Sequence, residues 1–369
     1  MRTTSPASLT LKTMKRMTNT SYRRVGITEP IYGPGALQSV AEQVKESPYT
    51  ELQKSDLKWE VMDSTNVETQ TFYLTSDEGT IGMAQVIYSN VMGIRTTAQF
   101  NAKIFSKDTS KPHLWSSDPL NNVAFSDDKF NFRADNCSFT LSDDGNTYTL
   151  KSSTSQKCLV DLKVTKTAPG LVMGKNGTST FGTDPTKPWG KMRHAFWPRC
   201  KVEGSMITQA GAVDFNGYGF FAHALQGMKP HHAAAKWNFC NFQSPSYSAV
   251  LMEYTTPPSY GTSTVAVGGI LEDGKVIFAS GGPEVQVKHT EIKKDAENEW
   301  PEPSAVQWSW EGTTKEGKSF KAELGGHLGL RTDKVDVMAE VPKFVKQIVA
   351  GAAGTKPYIY QVSTLIHAC

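Results

Sequence analysis

No run of about 18 apolar residues occurs in this sequence, so no segment of it reads as a membrane-spanning helix. Cysteine is scarce: Cys137, Cys158, Cys200, Cys240 and Cys369 make an odd count with no Cys-x-x-Cys pair. That argues against a disulfide framework or a cysteine zinc site and fits a reduced intracellular chain. No Gly-x-Ser-x-Gly elbow marks a nucleophile, and no His-x-His or His-x-x-x-His spacing marks a metal site. We therefore expect neither a metal nor a cofactor. The first 28 residues hold no acid at all but carry Arg2, Lys12, Lys15, Arg16, Arg23 and Arg24. Beyond them lie 33 of the 39 basic residues and all 36 acidic ones, so the body carries about −3. A mildly acidic body excludes a diffuse nucleic-acid surface.

Residues 1–28 read as a basic flexible tail, with a membrane-surface segment and a mitochondrial presequence as the alternatives. Beyond the tail, 369 residues is long for a single core, and two domains are expected, 29–214 and 215–369. With 38% hydrophobic residues and a mean hydropathy of −0.40, both are expected to be soluble and globular. Gly 30 and Pro 19, with abundant aromatics, favour short strands and turns over a helical bundle.

Periodicity supports strands. Ala98, Phe100, Ala102 and Ile104 alternate with polar residues, as do Val160, Leu162 and Val164. Ser142–Asn146 and Glu272–Gly274 read as hairpin turns. Strands following one another without helices predict an antiparallel meander, closed or nearly closed into a barrel. Ala36–Val44 has the spacing of a short helix. The strongest helical pattern is Val341, Phe344, Val345, Ile348, Val349 and Ala352, behind Pro342. Residues 168–200, rich in Gly and Pro, read as the longest irregular segment.

Gly312–Ser319 matches the phosphate-binding pattern G-x-x-x-x-G-K-[ST]. That loop needs a helix behind it, and Gly325-Gly326 leaves no room for one, so a hairpin is expected instead. Glu68, Asp184 and Glu253 form no acid/base pair in sequence.

The centre of the chain is Phe220–Phe242. Phe221, His223 and Leu225 have the spacing of a strand packed on one face, and Trp237, Phe239 and Cys240 begin another apolar run. Between them Gly227 and Pro230 force a connection carrying Lys229, His231 and His232. Polar groups between aromatic strands suggest the mouth of a β-pocket. Trp189 and Trp197, on the long irregular segment, are candidates to line an apolar cavity. Arg193, His194, Arg199 and Lys229 are candidates for a polar head group, though surface or structural pairing suits them equally.

Leu225-Gln-Gly-Met-Lys-Pro-His-His-Ala-Ala-Ala-Lys-Trp-Asn-Phe239 resembles the fungal survival-factor family of ceramide-binding proteins. Asp63–Phe72, Gly182–His194, Tyr247–Glu253, Val335–Phe344 and Lys356-Pro357 resemble it too, so the likeness runs from about Glu29 to Gln361. The resemblance implies a mainly β fold of two packed lipocalin-like antiparallel β-barrels with a short C-terminal helix. It implies a non-enzymatic carrier that moves ceramide from the endoplasmic reticulum to the Golgi and supports survival under oxidative stress. Such a carrier works in the cytoplasm, peripheral on those membranes, with the nucleus left open. The expected ligand-binding set is Trp189, Arg193, His194, Trp197, Lys229, His231, His232 and Trp237. Family members open with a short amphipathic helix, and the sparse apolar residues of this tail depart from that. A lipocalin-like enzyme of the cyclase or hydratase type is the alternative.

Overall fold

The computed structural model describes residues 30–91, 93–105, 113–297, 301–336 and 358–363. The basic tail and the helix expected over Val341–Ala352 lie outside the described residues, as does the side chain of His231. The strands are β1 (Leu37–Gln38), β2 (Tyr49–Glu51), β3 (Asn66–Ser76), β4 (Ile81–Val91), β5 (Arg95–Phe105), β6 (Leu114–Leu120), β7 (Ala124–Phe125) and β8 (Phe132–Ala134). They continue with β9 (Cys137–Leu141), β10 (Thr147–Ser152), β11 (Cys158–Lys166), β12 (Leu171–Met173), β13 (Thr178–Phe181), β14 (Gly190–Thr208), β15 (Gly211–Asp214) and β16 (Gly217–Gly227). After them come β17 (Lys236–Gln243), β18 (Tyr247–Thr255), β19 (Thr264–Glu272), β20 (Lys275–Gly281), β21 (Val285–Lys294), β22 (Pro301–Thr313), β23 (Ser319–His327), β24 (Leu330–Asp336) and β25 (Tyr358–Ser363). The fold is mainly β, as expected. The helix expected over Ala36–Val44 is reduced to Val40–Gln43, capped by the Ser39 hydroxyl accepting from the Ala41 N–H.

The first sheet runs β6-β5-β4-β3-β16-β14-β11-β10-β9-β8-β7, entirely antiparallel, and curls around one core. Its far parts approach each other where Ser116 of β6 meets Ser155, beyond β10, at 2.8 Å between hydroxyl oxygens. Three further sheets follow, β17-β18-β19-β20, β21-β22-β23 and the two-stranded β24-β25. The first two sheets face each other across a seam of apolar side chains, and a third core lies between the second and the third.

β14, along Met192–Cys200, and β16, along Phe220–Leu225, are therefore covered on both sides, whereas Lys201 and Ile207 farther along β14 are exposed. Phe221 packs inside the curl, while its neighbour Phe220 packs in the seam; Trp197 and Phe196 divide the same way. A strand alternates its side chains between faces, so each of these strands serves two cores at once. This corrects one expectation. Gly190–Arg199 is not irregular but the first half of a 19-residue strand. With apolar residues needed on both faces, no period of two appears in Met-Arg-His-Ala-Phe-Trp. Pro198 is tolerated because the register with β16 shifts between Trp197 and Cys200, where no ladder N–H is required.

The expected boundary at 214/215 falls just before β16, which pairs with both β14 and β3; the chain leaves the first sheet only after Gly227. The expected hairpins are present. Asp273 and Gly274 take positive φ in the β19–β20 turn. Thr313 pairs with Ser319 across the phosphate-loop lookalike, with Gly317 at φ 76. Arg199 ties the first sheet to the second, lying over the Tyr218 ring and donating to the Pro245 carbonyl at 2.8 Å.

Because both faces of β16 are buried, Phe220→Ala and Phe221→Ala should each lower the unfolding free energy by about 3–5 kcal/mol, read by chemical denaturation. A strand with one wet face would lose stability at only one of the two positions.

Candidate functional site

The two faces of β14 separate residues that are neighbours in sequence. Met192, His194 and Phe196 face the seam; Arg193 and Trp197 belong to the other side. Arg193 reaches Asp56, with Nη2 donating to Oδ1 at 3.0 Å and Nη1 to the Asp56 carbonyl at 3.0 Å. Trp197 is wholly buried inside the curl, 5.2 Å from the Tyr148 ring.

The seam gathers four of the expected residues. Trp189 stacks near Tyr32 at 4.9 Å and donates its Nε1–H to the Tyr260 hydroxyl at 3.1 Å. His232 Nδ1 lies 3.3 Å from that same hydroxyl. Trp237 lies 5.1 Å from the Tyr254 ring and 6.1 Å from His194. Lys229 is not among them; it is exposed at the start of the single helical turn Pro230–Ala233. Beneath His194 the seam holds a gap of about 10 Å³ bordered by Met173, Met192 and Met252, room for about one water. Burial, helped by the Arg193 charge, pushes the His194 imidazole down to about 3. Four cysteines of the described residues are free and buried, and burial raises the Cys137 and Cys240 thiols to about 12.

The interior of the curl holds a second group. Its wall is aromatic: Phe72, Phe132, Phe139 and Phe221 are all fully buried. Within it, Glu68 and His223 are buried and paired, with 2.9 Å between Oε1 and Nε2. His223 sits opposite Gln70 in the β3–β16 register, and its ring is 5.4 Å from that of Trp59. Gln70 donates from Nε2 to the Tyr148 hydroxyl at 3.2 Å, and Tyr148 stacks near Trp197. Trp59, His223, Gln70, Tyr148 and Trp197 thus form one continuous chain. Along it Trp59 Nε1, His223 Nδ1, Gln70 Oε1 and Trp197 Nε1 are buried with no hydrogen-bond partner among the described residues. Buried polar groups are normally satisfied, at a cost of about 1–3 kcal/mol each when they are not. Four along one run of neighbouring side chains in an apolar interior mark a place suited to a neutral hydrogen-bonding molecule.

This interior is covered by the strap Leu52–Met62. Leu52, Leu57 and Trp59 point in and are buried, while Gln53, Ser55, Lys58 and Glu60 are exposed. The strap is tied to several neighbours. The Trp59 N–H donates to the Lys129 carbonyl, Lys54 to the Asp143 carbonyl, and Lys191 pairs with Glu60. Glu68 holds it from within, its two oxygens accepting from the N–H groups of Glu60 and Val61 at 2.8 and 3.0 Å.

Sequence reasoning missed Gln70 and Trp59, took Glu68 for an isolated carboxylate, and weighed His223 only as a strand residue and, with His231 and His232, as a metal ligand. A signal was present: Glu68 and Gln70 share the parity of Phe72 and Leu74, so polar residues stood on an inward face. Glu68, expected to be isolated, meets a histidine 155 residues away.

Comparison with known proteins agrees with the resemblance in the sequence. The model of the Svf1 family matches residues 14–367. Ceramide-binding protein svf-1 of Neurospora crassa is 61% identical over 336 residues, covering 91% of this chain and 88% of that protein. Ceramide-binding protein svf1 of Aspergillus fumigatus is 57% identical over 338 residues, covering 92% and 85%. Among solved structures, an AttH candidate from Nitrosomonas europaea superposes with a TM-score of 0.54 at 12% identity, covering 75% of this chain and 93% of that one. At that identity the likeness shows the fold alone.

The depressed imidazole of His194 makes stability depend on pH. The folded protein keeps this ring neutral down to about pH 3, whereas the unfolded chain protonates it near 6.5. Unfolding then takes up a proton between those values, so this contribution to stability is lost as pH falls. The slope is at most about 1.4 kcal/mol per pH unit. Urea unfolding at pH 7 and pH 5 should show the wild type losing more stability than His194→Phe. Parallel losses would place the proton uptake elsewhere.

Proposed function

The chain belongs to the Svf1 family, and on that premise we propose that it is a ceramide-binding carrier. The observation that carries this reading is the apolar interior of the first sheet with its unpartnered neutral groups. Ceramide is a neutral two-chain lipid with one amide and two hydroxyls. Its chains lose about 0.8 kcal/mol per CH₂ on exposure to water, so a carrier must enclose them. Its head carries no net charge and needs hydrogen-bond donors and acceptors, which indole, amide and imidazole groups provide.

The finer reading is non-vesicular movement of ceramide from the endoplasmic reticulum to the Golgi, with survival under oxidative stress following from low free ceramide. A carrier of this kind works peripherally at membranes. The exposed indoles of Trp189 and Trp237, with exposed Lys229 and Lys236 near them in the chain, support a membrane-facing side along the seam. Indoles suit the interface between lipid and water, and each lysine close to anionic lipid is worth about 1 kcal/mol. In this reading Trp189, Trp237 and Lys229 meet the membrane rather than the ligand.

Native mass spectrometry of the protein purified from a eukaryotic host should find it with one bound ceramide. Recovery of a chemically altered small molecule instead would overturn the carrier and favour the cyclase or hydratase alternative. Trp189→Ala combined with Trp237→Ala should weaken binding to anionic vesicles by at least about threefold and leave ceramide affinity in detergent unchanged. Unaltered vesicle binding would remove the seam from the membrane contact.

A further inference from the structure

We infer that ceramide's head group binds inside the curl of the first sheet, at Gln70, Tyr148, Trp197 and His223, and that the strap Leu52–Met62 is its door. This rests on the carrier reading above and adds where the lipid sits and how it gets in. The first observation is the run of unpartnered atoms. Gln70 Oε1 and, with Nε2–H donated to Glu68, His223 Nδ1 are acceptors; the Trp59 and Trp197 indoles are donors. An amide and two hydroxyls supply the matching donors and acceptors. A fatty acid would bring a negative charge beside the buried Glu68, which disfavours it.

The second observation is the construction of the strap. Beyond Leu52, whose N–H donates to the Gly170 carbonyl, it crosses the interior without a ladder of its own, held by separate contacts that include Arg193 on Asp56, Lys191 on Glu60, the Trp59 N–H on the Lys129 carbonyl, Lys54 on the Asp143 carbonyl, and Glu68 on two N–H groups. Val61 takes φ 50, a left-handed conformation that β-branched residues avoid. Such strain, held by surrounding contacts, is characteristic of segments that switch between two arrangements. Trp59 stands against His223 with its indole N–H unpaired, so the closed strap leaves polar groups unsatisfied on both sides. Lifting the strap withdraws Leu52, Leu57 and Trp59 from the aromatic interior and exposes Gln70 and His223 together. The head group then pairs with what Trp59 leaves bare, and the start of an acyl chain enters the room that the withdrawn side chains vacate.

The test uses the full chain and a fluorescent short-chain ceramide, with the matching diacylglycerol as a control that has ester groups and a hydroxyl but no amide. The wild type should prefer ceramide. Gln70→Leu should lower ceramide affinity by about 3- to 10-fold and shrink that preference, as loss of a hydrogen bond does. Trp197→Phe, a milder change that removes one unpaired N–H, should act in the same direction. Arg193→Gln, which frees the strap at Asp56, should speed ceramide association without altering the preference. Hydrogen exchange at the Trp59, Glu60 and Val61 amides should change on loading. No ceramide binding by the wild type would sink the carrier reading and this inference with it. Binding that Gln70→Leu and Trp197→Phe leave unchanged, with exchange altered only around Met192 and Met252, would sink the inference alone and put the lipid in the seam. Binding and preference unchanged in both variants with no exchange change at the strap would reduce the unpartnered atoms to sites for trapped water.

Discussion

Two adjacent strands, β14 along Met192–Cys200 and β16 along Phe220–Leu225, have no wet face, and the rest of the molecule follows from that. Each puts one parity of side chains into the curl of the first sheet and the other parity into the seam with β18 and β19. A sheet with one solvated face could have closed on itself and ended there. Here the outer face of the curl is as apolar as the inner one around Met192, Phe196 and Phe220, so a second sheet has to cover it. β18 repeats the arrangement: Val250 and Met252 serve the seam, while Leu251 serves the core shared with Trp310. The result is a stack of sheets in which apolar burial, rather than loops, fixes each layer against the next.

The two interiors made this way differ in chemistry. The seam is rich in methionine and aromatic rings, and its edge is where Trp189, His194, His232 and Trp237 collect. Methionine adapts its shape at little cost, which suits a joint between layers. The inside of the curl is built of interlocked rings, yet it holds the Glu68–His223 pair and four polar atoms without a partner among the described residues. A core evolved for stability alone would replace such groups with apolar ones of the same size. They lie beneath a strap of discrete contacts that holds Val61 at φ 50.

Much of the fold could be read from local physics. The turns at Ser142–Asn146 and Glu272–Gly274 rest on residues that accept positive φ, and that preference does not depend on distant contacts. Gly325-Gly326 ruled out a phosphate loop for the same kind of reason. The alternation in β5 and β11 showed because one parity of each is polar. β14 hid because apolar residues on both faces erase the period, and Gly and Pro within it imitate a loop. The candidate site was legible only in part. Trp189, His194, His232 and Trp237 do come together on one seam, but Arg193 and Trp197, a few residues away, face the other side.

By itself the sequence determined the β class, the hairpins, the charge division between tail and body, and kinship with the survival-factor family. These depend on composition, short-range conformational preference or long matched blocks. Only the tertiary structure decided which residues meet. Glu68 and His223 lie on strands that pair after a separation of 155 residues, and Trp59 reaches them from a strap outside the sheet. A contact of that range depends on how the sheet curls, and curling is a property of all its strands together.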